Sequence, residues 1–217
     1  MIYNASEIIQ LLTLAVLFVL ALVRALRSRN IAWLSVVCFF ACMLLGNIYW
    51  YGYLAVFGDT PHYSYIADFS WAAGYVFLVL LLVECDQRRG VAAPVPAAWL
   101  AVVFCAALCV FYIVLSGSPL LNIVDNGLVA AIGFFAARGI AAQAGSTSGD
   151  GAEPRGFSGN KVFHWAALLF VVVEQALWLS SLVPDPSPGS IVYAVFNFAL
   201  TASYASILLC AWKSEGA

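Results

Sequence analysis

Apolar residues gather into seven runs along this chain: Ile8–Leu26, Ile31–Phe57, Ile66–Glu84, Ala97–Leu115, Leu120–Ala142, Val162–Leu182 and Ile191–Trp212. A helix needs about 20 apolar residues to cross the hydrocarbon core of a bilayer, and each run is of that order. In hydrocarbon every backbone amide must be satisfied within its own segment, so each run predicts one helix. The eight prolines, Pro61, Pro94, Pro96, Pro119, Pro154, Pro184, Pro186 and Pro188, all lie between runs or at their edges. Proline lacks an amide donor and breaks a helix interior, so its placing marks the same boundaries as the hydrophobic pattern. The predicted fold is all-α: a polytopic seven-transmembrane-helix bundle forming a single membrane domain over residues 1–217. Most gaps are short, which predicts successive helices as antiparallel neighbours. The exception is Gln143–Asn160, rich in Gly and Ser with little to bury, which predicts a flexible cytoplasmic loop.

Charge adds an orientation. Hydrophobic residues make up 64% of the chain and charged residues 9%, whereas a soluble globule carries about 25% charged residues. The length is taken up by spans, and no remainder is large enough for a second domain. All nine Lys and Arg residues fall in alternate gaps or at the run ends beside them: Arg24, Arg27 and Arg29, then Arg88 and Arg89, then Arg138, Arg155 and Lys161, and last Lys213. Positive charge resists translocation, so these gaps are expected on the cytoplasmic side, with the N-terminus outside and the C-terminus inside. Glu7, Asp59, Asp68, Asp125, Glu174 and Asp185 fall on the other side or in that half of the membrane. Trp33, Trp99, Trp165 and Trp212 near the inner ends, and Trp50, Trp71, Trp178 and several tyrosines toward the outer ends, fit two headgroup-level belts. The start, MIYNASE, lacks a basic n-region, so the first run is expected to be a retained helix rather than a cleaved signal. The basic residues are few and scattered along one rim, so nucleic acid is not expected as a partner.

Candidate chemistry lies in polar side chains that the pattern places inside lipid, where they are costly and usually face a bundle interior or a wet cavity. Spacings of three and four put Asn47, Trp50 and Tyr51 on one face of the second run, and Asp68, Trp71 and Tyr75 on one face of the third. The fifth offers Asn122, Asp125 and Asn126, the sixth Glu174, Gln175, Trp178 and Ser181, and the seventh Tyr193, Asn197, Thr201 and Tyr204. A rise of about 1.5 Å per residue sets Glu174, Asn47 and Asn197 near mid-depth, and Asp68, Asp125 and Asn122 closer to the outer mouth. If these faces converge, the candidate ligand-binding residues are Glu174, Asn47, Asn197, Tyr51, Trp178, Asp68, Trp71, Asp125, Asn122, Thr201 and Tyr204. Glu174 is the most informative, because no Lys or Arg of its half of the membrane can neutralise it. It is expected either to stay neutral, hydrogen-bonded to Asn47, Asn197 or Tyr204, or to meet a cation from outside, aided by aromatic walls. Interhelical hydrogen bonding is the favoured account of Asn197 and Thr201, and a solvated helix end that of Asp68 and Asp125, with an N-cap equally open to Asp68.

Other chemistry finds little footing. His62 and His164 are expected on opposite sides of the bilayer and cannot clamp one haem. No lysine lies within a span to hold retinal, no G-x-S-x-G occurs, and no Walker loop occurs in the Gly-rich segment. No cofactor or metal is expected, and the one enzyme reading left open is a membrane hydrolase built on carboxylates. The six cysteines, Cys38, Cys42, Cys85, Cys105, Cys109 and Cys210, fall outside the predicted outer loops, so no disulfide framework is expected. Their helical spacing suits small apolar packing. Gly133 and Ala137 form a small-x-x-x-small pair that permits close helix approach.

The stretch Gly58–Glu84, GDTPHYSYIADFSWAAGYVFLVLLLVE, resembles the outer loop and following aromatic helix of the multi-helix membrane sensor regions that precede diguanylate cyclase or histidine kinase modules in bacteria. The matching positions of the G-x-x-P-x-x-S-x-A-D segment are Gly58, Pro61, Ser64, Ala67 and Asp68, the last two offset by one. The resemblance implies a sensor of the bacterial inner membrane. The chain ends a few residues after Lys213 without such an output module, so the implied sensor works through a cytoplasmic signalling protein. Expected partners are therefore the lipid bilayer, a small-molecule or cation ligand, and that protein. A small transporter or its subunit, and a structural or anchoring subunit of a membrane complex, are the alternative roles.

Overall fold

The computed structural model describes residues 2–28, 30–58, 65–89, 95–116, 119–145, 160–181 and 188–215. Asp59, Pro61, His62, Ser64, Arg155, Asp185 and residues 146–159 of the predicted loop lie outside that set. Seven helices follow in order: α1 (Ile2–Ser28), α2 (Ile31–Phe57), α3 (Tyr65–Arg89), α4 (Pro96–Ser116), α5 (Pro119–Gly145), α6 (Lys161–Ser181) and α7 (Pro188–Glu215). No strand occurs among the described residues. Each helix is long and apolar enough to cross a membrane, which is the make-up of a multi-pass membrane protein.

Local chemistry sets the ends. α4, α5 and α7 each open on a proline, where the missing amide would have had no helical partner anyway. Asn30 caps α2, its Oδ1 accepting from the Ala32 amide at 3.0 Å, and Asn160 caps α6 by accepting from the Phe163 amide at 2.9 Å. α2 stops at Gly58, whose φ of 72° is the left-handed conformation that glycine adopts without a steric penalty. α1 starts six residues before its apolar run, because Ser6, Glu7 and Gln10 are buried against neighbouring helices rather than left in water.

The helices α1, α2, α3, α5, α6 and α7 form a ring in that order, closed by α1 against α7, and α4 packs beside it on α5. Chain order therefore does not set every neighbour: α3 packs on α5 rather than on α4. Two features account for this. The α3–α5 contact carries an ion pair, Arg138 Nε to Asp86 Oδ2 at 3.5 Å. α4 is the most apolar of the spans and presents small residues to α5, where a Cβ on Gly133 would lie 3.0 Å from that of Ala101 and 3.7 Å from Val171 Cγ1. Gly133 is thus the point at which α5 fits between α4 and α6.

Helix ends carrying Arg24, Arg138, Lys161 and Lys213 meet at one end of the bundle. The Arg24 guanidinium lies 6.0 Å from the Trp33 ring centre and 5.4 Å from that of Trp212. The Asn160 amide donates to Ser214 Oγ at 3.1 Å, joining α6 to α7. His164 is buried, with Nδ1 3.0 Å from the Asn160 carbonyl and 3.4 Å from Gln143 Nε2. Trp33, expected in a headgroup belt, is instead fully buried and packed edge-on against Trp212 at 6.3 Å. The cation above it supplies the polar neighbour that headgroups would have supplied. Trp99, Trp165 and Trp212 are well exposed, as belt residues should be.

The His164 ring occupies the space that a Cβ on Gly139 would take. Gly139→Ala should therefore destabilise the bundle by about 1–3 kcal/mol, the usual cost of overpacking. Thermal unfolding in detergent reads this, and an unchanged midpoint would mean that the ring moves freely.

Candidate functional site

Glu174 sits in the middle of α6 and is 5% exposed. Its Oε1 accepts from the Tyr75 hydroxyl of α3 at 2.5 Å and from Trp178 Nε1, one turn along α6, at 3.1 Å. Its Oε2 is buried and has no hydrogen-bond partner among the described residues. Both donors are ring-borne and neutral, and neither cancels a charge. Below the carboxylate lies an aromatic floor drawn from four helices: Tyr75, Phe170, Phe39 and Tyr204. Phe170 lies 6.0 Å from Phe39, 5.6 Å from Tyr204 and 6.1 Å from Tyr75 between ring centres. Along α6, Glu174 is about 15 Å from His164 at the helical rise per residue. The floor and the distance separate it from the cations at the other end.

Beside Glu174 is a cavity of about 20 Å³, lined by Tyr75, Tyr112, Asn122, Asp125, Asn126, Val129, Gln175 and Trp178. It lies among α3, α4, α5 and α6, and its volume suits one water-sized species. Tyr112 is fixed by donating to the Gln175 carbonyl at 3.2 Å, and Asn126 by donating through Nδ2 to the Asn122 carbonyl at 3.0 Å. The same carbonyl receives the Cys109 thiol at 3.4 Å. Asn126 Oδ1 and Gln175 Oε1 are buried with no hydrogen-bond partner among the described residues. Asp125 belongs to the same lining. No three His, Cys, Asp or Glu side chains among the described residues are close enough to hold a metal ion.

The candidate residues thus divide into two sets. Trp178, Asp125 and Asn122 line the cavity, and Glu174 adjoins it through its bonds to Tyr75 and Trp178. Asp68 is buried in the first turn of α3 and does not line the cavity. Trp71 packs on Trp50 at 5.8 Å, and its ring lies where a Cβ on Gly46 would project. The second set lies among α1, α2 and α7. Asn47 donates to the Met43 carbonyl of its own helix at 2.8 Å. Tyr51 donates to Gln10 Oε1 at 2.6 Å, and Asn197 donates to Ser6 Oγ at 3.3 Å. Thr201 donates to the Asn197 carbonyl at 2.8 Å, and Tyr204 donates to Met43 Sδ at 3.6 Å. These side chains join helices or satisfy their own backbone, and the described hydrogen bonds of Glu174 include none of Asn47, Asn197 and Tyr204.

Tyr112, and the role of Tyr75 as a partner of Glu174, are not part of the predicted site. For Tyr112 the signal is its chemistry: it is a hydroxyl-bearing residue in an otherwise apolar span, and a buried tyrosine hydroxyl needs a partner. Ser6 and Gln10 are four apart on α1, Ser6 before its apolar run and Gln10 inside it, so helical periodicity carried back past Ile8 would have found them. Comparison with protein-family models, with curated proteins and with solved structures gives no match to this chain.

Proposed function

We propose that the chain is a receptor-like module of a bacterial inner membrane, which binds a small cationic or hydrogen-bonding ligand at Glu174 and signals through a cytoplasmic partner at its cationic end. The observation that carries this is the Glu174 carboxylate, held on one oxygen by two neutral donors, with the other oxygen buried and without a hydrogen-bond partner among the described residues. A buried charge is costly unless paired. Such an arrangement is kept most readily where something that enters the site completes it. The confinement of Lys and Arg to alternate gaps supports a cytoplasmic cationic end, and the site then opens toward the outside. The described helices run uninterrupted, whereas carriers that work by alternating access build midplane sites from broken helices.

A ligand biases a receptor only through different affinities for two packings of the bundle. The elements that reach from the site to the cationic end are α5, with Asp125 and Arg138, and α6, with Glu174 and His164. Glu174→Gln imitates the neutralised site and should change amide exchange around Arg138 and His164 by about fivefold or more, the lower bound of ordinary coupling. Hydrogen–deuterium exchange of the detergent-solubilised protein measures it. Changes confined to the turn on either side of residue 174 would rule out a receptor role.

A further inference from the structure

We propose that the cavity among α3, α4, α5 and α6 takes a single ammonium-type cation, a free ammonium ion or the head of a small primary amine. This rests on the receptor function proposed above and names the class of its ligand. Two residues of the lining hold buried acceptor oxygens that the described residues leave unused. Asn126 and Gln175 are each 5% exposed, both line the cavity, and Asn126 Oδ1 and Gln175 Oε1 have no hydrogen-bond partner among the described residues. The Asp125 carboxylate lines the same space. Glu174 Oε2, likewise without a hydrogen-bond partner, lies next door behind Tyr75 and Trp178.

Donor number separates the occupants that fit a space of this size. A water molecule donates two hydrogen bonds and brings no charge. An ammonium group donates three or four and brings one positive charge to a site whose ionisable groups are carboxylates and phenols. Hard metal ions want a shell of about six or more oxygens, and the described residues contain no His, Cys, Asp or Glu cluster that could hold a metal. The aromatic side chains of Tyr75, Tyr112 and Trp178 in the lining suit a cation that can use π contacts as well as hydrogen bonds. At about 20 Å³ the space admits an ammonium head, and any longer substituent has to point toward the acidic mouth.

The test uses the full chain in detergent micelles, titrated at constant ionic strength with ammonium, methylammonium, sodium and choline chlorides. Thermal unfolding and the fluorescence of the tryptophans, one of which (Trp178) borders the cavity, are followed together. Ammonium or methylammonium should raise the midpoint saturably, by roughly 3 °C at ten times Kd, while sodium and choline leave it unchanged. Tighter binding of methylammonium identifies an amine head, and tighter binding of ammonium the free ion. Asp125→Asn should weaken binding at least about tenfold, and Gln175→Met, which keeps the volume, should weaken it severalfold. An equal response to all four salts, or none to either ammonium ion, overturns the cation site. If ammonium binds but Glu174→Gln leaves the cationic end unchanged in exchange, the receptor role fails and the site stands. If that exchange changes and neither ammonium ion binds, the site fails alone.

Discussion

Replacing Arg138 by Met should lower the thermal midpoint of the protein by about 10 °C. The guanidinium is the cationic partner of Asp86, at 3.5 Å, and the Asp86 side chain is only 5% exposed. Removing one partner of a buried ion pair costs about 3–5 kcal/mol, because the remaining charge stays in a dry place. For a chain of this size each kcal/mol moves the midpoint by roughly 2–4 °C. Adding Asp86→Asn to the Arg138→Met variant should recover at least half of the loss, since no charge is then stranded. The pair is also a polar contact between α3 and α5, the neighbours that chain order does not predict. A double variant as unstable as the single one would mean that Arg138 holds the bundle by packing its stem and not by its charge.

The parts of this fold that were legible in the sequence are those set by the bilayer. The apolar runs and the prolines beside several of them locate all seven helices, with the largest differences at the start of α1 and the end of α3, because the period, the length and the missing donor are all local properties. Neighbour relations were less legible. The placing of α4 depends on Gly133 meeting Ala101, and that of α3 on Asp86 meeting Arg138, and neither meeting leaves a mark within one segment. The candidate site shows the same division. Glu174, Asp125 and Trp178 stand out as polar or amphipathic residues within apolar stretches. Asn47 and Asn197 have the same signature, yet each is used for local or interhelical hydrogen bonds, because a helix face says what is polar but not which neighbour it meets. Trp33 is the corresponding case among the aromatics: its position near a helix end suggests the headgroup level, and Arg24 and Trp212 bury it.

Glu174→Ala and Glu174→Gln should move stability in opposite directions. Alanine removes the acceptor of the Tyr75 hydroxyl and of the Trp178 indole; Tyr75 is buried whereas Trp178 is 40% exposed, so the stranded hydroxyl carries the cost, about 1–3 kcal/mol. A fall in midpoint of about 6 °C follows. Glutamine keeps an amide oxygen where Oε1 accepts both bonds and removes the ionisable group. Its NH₂ then occupies the position of Oε2, which has no donor to lose. The glutamine variant should therefore unfold at the wild-type temperature or a few degrees above it, while its response to ammonium-type cations weakens, since Glu174 adjoins the cavity without lining it. Greater stability bought with weaker binding is what a functional site yields when it is neutralised. The reverse pattern, a glutamine variant as fragile as the alanine one, would show that the charge of Glu174 itself holds α3 to α6. The carboxylate would then be part of the scaffold and not the residue that meets a ligand.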